Sequence, residues 1–128
     1  MHVARSKGAK LQPGGPPVFT GEVNSTGLSD QSTATQLFLR YVKFSPGGRT
    51  VWHTHPFEQG LVIVEGRGIV ANEAQENVVE PGDIVIVSPN EKHWHGAGEK
   101  TGMAHIAINQ AGGTTALEPV TEIRTKGV

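Results

Sequence analysis

The sequence predicts an all-β domain, a sandwich or closed barrel of short strands. Three observations predict it. Short runs rich in β-branched residues recur along the chain, Gln59–Glu65 and Ile84–Val87 being the clearest. The 17 Gly and 8 Pro punctuate those runs with turn signals: Ser45-Pro46-Gly47-Gly48, Gly66-Arg67-Gly68, Glu80-Pro81-Gly82-Asp83 and Ser88-Pro89-Asn90. Nowhere does an apolar stripe of helical period persist.

Taken in order, residues 1–17 read as a loose polar arm ending at Pro16-Pro17, residues 18–112 as the barrel, and 113–128 as a tail. Val18–Val23 is a first short strand. Gln36–Phe44 alternates, with Leu37, Leu39 and Tyr41 on one face and Phe38, Arg40 and Val42 on the other. Arg49–His55 forms the next strand, stopped by Pro56. The nearly continuous apolar run of Gln59–Glu65 predicts a strand covered on both faces. Gly66-Arg67-Gly68 is expected to close a hairpin, with Ile69–Asn72 returning and Asn77–Val79 adding a short strand. Ile84–Val87, His93–Ala97 and Met103–Asn109 complete the set, and Leu117–Ile123 is expected to form a short helix capped by Thr121.

At 128 residues the chain makes one domain with a core of its own. It has no cysteine, which excludes disulfides, thiolate metal sites and cysteine nucleophiles. A formal net charge of −1 gives no footprint for nucleic acid or an anionic membrane. No apolar run approaches the roughly 20 residues that span a bilayer, and Met1–Pro17 lacks the apolar core of a signal peptide. These features lead to the expectation of a soluble cytoplasmic protein acting on a small molecule.

The chemistry lies in the histidines, five of whose six members fall between positions 53 and 105. His53 and His55, two apart on a strand, leave the same face, as do His93 and His95. Gln59 can re-enter the first face after the Pro56-Phe57 break. His105 sits on the last long strand. Several imidazoles inside a barrel each cost several kcal/mol unless something satisfies them, and a metal ion does so. Glu58 competes with Gln59 as a donor, because strand alternation turns only one of them inward.

The two histidine segments resemble the paired motifs of the cupin superfamily. The first motif reads Gly47-(five)-His53-Thr54-His55-(three)-Gln59-(six)-Gly66, with Gln59 where the family usually has Glu. In the second, Gly82, Ser88, Asn90, His93 and Ala97 fall on the motif positions, and only Gly82 and His93 keep the family's residue. The resemblance implies a single all-β cupin barrel, a double-stranded β-helix or jelly roll, with a divalent metal on His53, His55, Gln59 and His93. It also implies a homodimer or higher homo-oligomer, as does the need to cover exposed strand edges. Three neutral imidazoles and a neutral amide leave such an ion its full charge, which disfavours oxygen activation and favours Lewis-acid chemistry.

A closer resemblance runs through Arg49–Pro56, Gln59, Glu91–Ala97, Val18–Gly21 and Met103–Ile108. These stretches are similar to the bacterial cupin-type hydroxynitrile lyases, manganese-dependent enzymes that cleave or form cyanohydrins such as mandelonitrile. The resemblance implies a manganese cofactor, although a nitrogen and oxygen site also accepts iron, nickel, cobalt or zinc. It implies catalytic roles for His95, His105 and Thr50, and a substrate pocket including Arg40, Val42 and Asn109. Arg40 stands where those relatives have a small residue, and Asn109 where they have Gln. Simple alternation puts Thr50 on the face opposite His53, so its role requires a break in the strand. Two other readings remain: a metal-dependent oxygenase or isomerase, and a non-catalytic ligand-binding cupin.

Overall fold

Glycine and proline cut the chain into strands too short to stand alone, and these pair into two sheets. The computed structural model describes residues 1–128. Its strands are β1 (Gln12–Gly14), β2 (Phe19–Thr20), β3 (Val23–Gly27), β4 (Phe38–Phe44), β5 (Arg49–Thr50), β6 (His53–Thr54) and β7 (Gln59–Gly66). They continue with β8 (Gly68–Asn72), β9 (Glu76–Val79), β10 (Ile84–Val87), β11 (His93–Ala97), β12 (Met103–Asn109) and β13 (Thr115–Ala116). No helix is long and apolar enough to cross a membrane.

The first sheet has the order β1-β3-β4-β12-β7-β10; the second runs β13-β6-β11-β5-β2, with β8 between β11 and β9. Every pairing is antiparallel. The sheets face each other across one core. Val23, Val42, Phe44, Leu61, Ile63, Met103 and Ala107 from the first sheet meet Val70, Val79 and Ala97 from the second. The result is the all-β barrel that the sequence predicts.

Rungs of this barrel run across strands by register. Ser25, Val42, His105 and Ile63 form one rung of the first sheet. Gly27, Arg40, Ala107 and Leu61 form the next, and Phe38 and Asn109 the one after. The intervening residues face out. On that outer face Ile84, Val62, Ile106 and Tyr41 align, beside Ile86, Gly60, Ile108 and Leu39. Ile84 and Ile86 are each 64% exposed on a sheet-edge strand.

Four sequence expectations fail here for physical reasons. β7 is not covered on both faces, since its residues alternate between buried and half-buried; an apolar run shows only that both faces are apolar. Gly66-Arg67-Gly68 does not close a hairpin but carries the chain from the first sheet to the second. Gly66 has φ 69°, and a Cβ there would lie 1.9 Å from the Gly102 carbonyl oxygen. Leu117–Ile123 is not helical. The Leu117 N–H instead donates to the Trp52 carbonyl (2.8 Å), and Val120, Ile123 and Val128 pack over Trp94, Ile69 and Ala71 on the outer face of the second sheet. Lastly, the arm at 1–17 is not wholly loose, because Gln12–Gly14 adds an edge strand to β3. Strand pairing thus extends beyond residues 18–112 on both sides, to β1 and β13.

Candidate metal centre and buried histidine pair

His53 opens β6 and pairs with His93, which opens β11. His55 follows just beyond β6, in a segment held to the second motif by the Asn90 N–H, which donates to the His55 carbonyl (2.8 Å). Asn90 adopts φ 63°, a conformation asparagine tolerates better than most residues. The metal-binding nitrogens of His53, His55 and His93 lie within 4.8 Å of one another. Two donors about 2.1 Å from one ion sit at most about 4.2 Å apart, so small side-chain adjustments bring all three onto a common ion.

The backbone decides which ring nitrogen is offered. His53 Nδ1 lies 2.9 Å from the Val51 carbonyl, His55 Nδ1 3.1 Å from that of Phe57, and His93 Nδ1 2.8 Å from that of Glu91. A carbonyl only accepts, so each neutral ring carries its hydrogen on Nδ1 and turns a bare Nε2 inward. Burial pushes His53 down to about 4 and His93 down to about 3, which keeps both uncharged at neutral pH.

Gln59 faces the same point. It is buried and Glu58 is exposed. Its Oε1 lies 3.2 Å from His55 Nε2 and 3.3 Å from His93 Nε2, while its Nε2 donates to Asn109 Oδ1 at 2.8 Å. Bare imidazole nitrogens and an amide oxygen are all lone-pair donors, and they converge without a hydrogen among them. That arrangement fits a cation: three imidazoles and one amide oxygen are a donor set for a divalent ion.

Deeper in the barrel, His95 and His105 form a second cluster. His105 Nε2 and His95 Nδ1 are 2.9 Å apart, and Phe44 packs against both rings. The far nitrogens, His95 Nε2 and His105 Nδ1, are buried and have no hydrogen-bond partner. Burial holds His105 at about 4 and pushes His95 well below its ordinary value. The register of β12 against β7 shifts between Ala104 and His105, a bulge of the kind that re-aims a side chain. The His95 ring also lies 5.4 Å from His53 and 5.7 Å from His93, centroid to centroid.

Thr50 reaches this cluster because the first histidine strand, Arg49–His55, is broken. β5 ends at Thr50 and β6 begins at His53, so strict alternation lapses over Val51-Trp52. Thr50 is buried and its Oγ1 accepts from the His95 N–H (3.1 Å). Val42 faces the interior opposite His105. Arg40 lies one rung further out, its Nε donating to Ser25 Oγ (3.1 Å). Sequence reasoning placed Asn109 in a pocket but missed its bond to Gln59. It also missed Ser25, a buried polar residue for which a lone serine in a polar stretch gives no signal.

The cupin domain family matches residues 40–109. The chain belongs to the cupin family. Over 93 residues it is 42% identical to the (R)-mandelonitrile lyase of Granulicella tundricola, covering 72% of this chain and 71% of that protein. Among solved structures, a cupin-like protein from Thermotoga maritima is 34% identical with a TM-score of 0.80, over 86% of each chain. The polyketide cyclase RemF from Streptomyces resistomycificus, 19% identical, superposes with a TM-score of 0.79 over 97% of this chain and 88% of that one. That last likeness is one of fold alone.

The hydrogen bond to Asn109 fixes which end of the Gln59 amide points inward, and it gives the first prediction. Asn109→Leu removes the acceptor and should weaken manganese binding about tenfold or more, whereas Asn109→Asp keeps an acceptor and should stay within about threefold of the parent. Isothermal titration of the metal-free proteins reads the difference.

Proposed function

We propose that the protein is a metal-dependent lyase that cleaves or forms a cyanohydrin or a related aldol-type carbon–carbon bond. The observation that carries this reading is the buried, uncharged His95–His105 pair set beside a neutral four-donor cluster. The 42% identity to an (R)-mandelonitrile lyase supports it. A divalent ion on His53, His55, His93 and Gln59, with manganese first and iron, nickel, cobalt or zinc also suited to the donors, supplies Lewis acidity toward a substrate hydroxyl.

The protein's part is to place and move the proton. A single hydrogen is shared between His105 Nε2 and His95 Nδ1, so one outer nitrogen of the pair is bare and the other carries a hydrogen. The bare nitrogen accepts the cyanohydrin hydroxyl proton. The O–H electron pair becomes the second bond of the carbonyl, and the bond to the nitrile carbon breaks, so that cyanide leaves with the two electrons of that carbon–carbon bond. The other end of the histidine pair returns a proton, giving hydrogen cyanide and an aldehyde. Thr50 steadies His95 through its backbone and keeps its own hydroxyl hydrogen for the substrate. Val42 and Asn109 flank the space from inner rungs on either side of that of Arg40.

A purified, manganese-loaded sample assayed for benzaldehyde release from mandelonitrile tests this directly. The expected result is release above background, lost on chelation and reduced at least about 100-fold in His95→Ala. No release, with His95→Ala indistinguishable from the parent, contradicts it.

The same reading includes a homodimer through the outer face of the first sheet. Support comes from two adjoining apolar rows, continuous across four strands and ending on the unpaired edge of β10. Ile86→Lys, which places a charge in that face, should convert a sedimenting dimer to monomer without unfolding it. An unchanged dimer in Ile86→Lys, or a parent that sediments as a monomer, refutes the interface.

A further inference from the structure

We propose that the substrate of this site carries a carboxylate, and that the Arg40 guanidinium holds it. Arg40 shares the inner face of β4 with Val42 and Phe44, both buried in the core. Its rung lies between that of His105 and that of Asn109, the partner of Gln59. Along a strand those rungs are about 6.7 Å apart, so Arg40 is level with the space between the histidine pair and the four-donor cluster. The neighbour on its own rung, Ala107, is small.

The guanidinium is positioned and unclaimed. Its Nε donates to Ser25, which is 4% exposed, and this fixes the plane of the group. On the neighbouring strand β3 stands Gly27, where a Cβ would come within 3.6 Å of Nη1, so this position puts no side chain against that terminal amine. None of the protein's ion pairs involves Arg40. Arg40 is itself exposed, which places the group where the interior opens to solvent. A guanidinium held by Nε with both terminal amines free presents the fork that a carboxylate fills with two parallel hydrogen bonds.

Charge in the interior argues the same way. The buried polar and charged residues are Ser25, Thr50, Gln59 and four of the ring system, His53, His55, His93 and His95, together with His105; no Asp or Glu is among them. The donors offered to a divalent ion are neutral, so with that ion bound the chamber holds positive charge and no protein anion. A substrate carboxylate supplies the missing negative charge, and a neutral aldehyde or cyanohydrin does not.

The inference rests on the barrel interior being the reaction site, and its test does not depend on turnover. Manganese-loaded protein is titrated calorimetrically with 4-formylbenzoate and with benzaldehyde, probes that differ only in the carboxylate. The parent should bind 4-formylbenzoate roughly tenfold or more tightly than benzaldehyde. In Arg40→Gln that preference should fall to within about twofold, with benzaldehyde affinity unchanged. Equal affinity of the parent for the two probes, or a preference that survives in Arg40→Gln, overturns the proposal. Absence of mandelonitrile cleavage beside an Arg40-dependent preference removes the lyase reading and leaves the carboxylate site standing.

Discussion

Three backbone carbonyls, those of Val51, Phe57 and Glu91, determine the character of the site. By taking the Nδ1 hydrogens of His53, His55 and His93 they turn three bare Nε2 atoms toward one point. The tautomer is thus set by main-chain geometry rather than by a carboxylate, the more charged way of orienting a ligating imidazole. Gln59 completes the convergence without adding charge, and Asn109 holds its amide the right way round. Replacing any of these contacts with an acidic group would lower the charge at the centre.

The remainder of the fold serves to keep that point dry and fixed. The closed lower half of the barrel is filled by Phe44, Met103, Ile63 and Val23, each no more than 2% exposed. The outer face of the histidine-bearing sheet is sealed by the C-terminal segment, whose Val120, Ile123 and Val128 cover Trp94 and Ile69. This segment is anchored at both ends, by Leu117 and Glu118 to the Trp52 backbone and by Arg124 and Thr125 to the Glu76 carboxylate. Glu76 is held below the usual carboxylate range by those hydrogen bonds, although burial opposes them. The opposite sheet leaves its outer face apolar and open.

Much of this was legible in the sequence, because it rests on period-two alternation and on turn chemistry, both of which are local. Ile84–Val87, His93–Ala97 and Met103–Asn109 form strands with the expected bounds. His53, His55 and His93 come together, and Gln59 rather than Glu58 faces inward. Trp94 turns to the outer face, as its alternation with the histidines requires. What escaped depends on distant partners. A glycine pair around Arg67 looks the same in a hairpin and in a crossover between sheets. Leu117–Ile123 has apolar residues at plausible helical spacing, but its backbone is claimed by Trp52. Thr50 enters the interior only because β5 and β6 are separate strands, which depends on how Val51 and Trp52 bond to Val18 and Glu118.

The central claim is a neutral centre in which an amide, not the neighbouring carboxylate, completes the ligand set. Its most direct test is the manganese content per chain, after gel filtration at limiting metal, of Gln59→Ala and Glu58→Ala. The account predicts that Glu58→Ala retains one ion per chain like the parent, and that Gln59→Ala loses most of it. Full retention in Gln59→Ala together with loss in Glu58→Ala would contradict it.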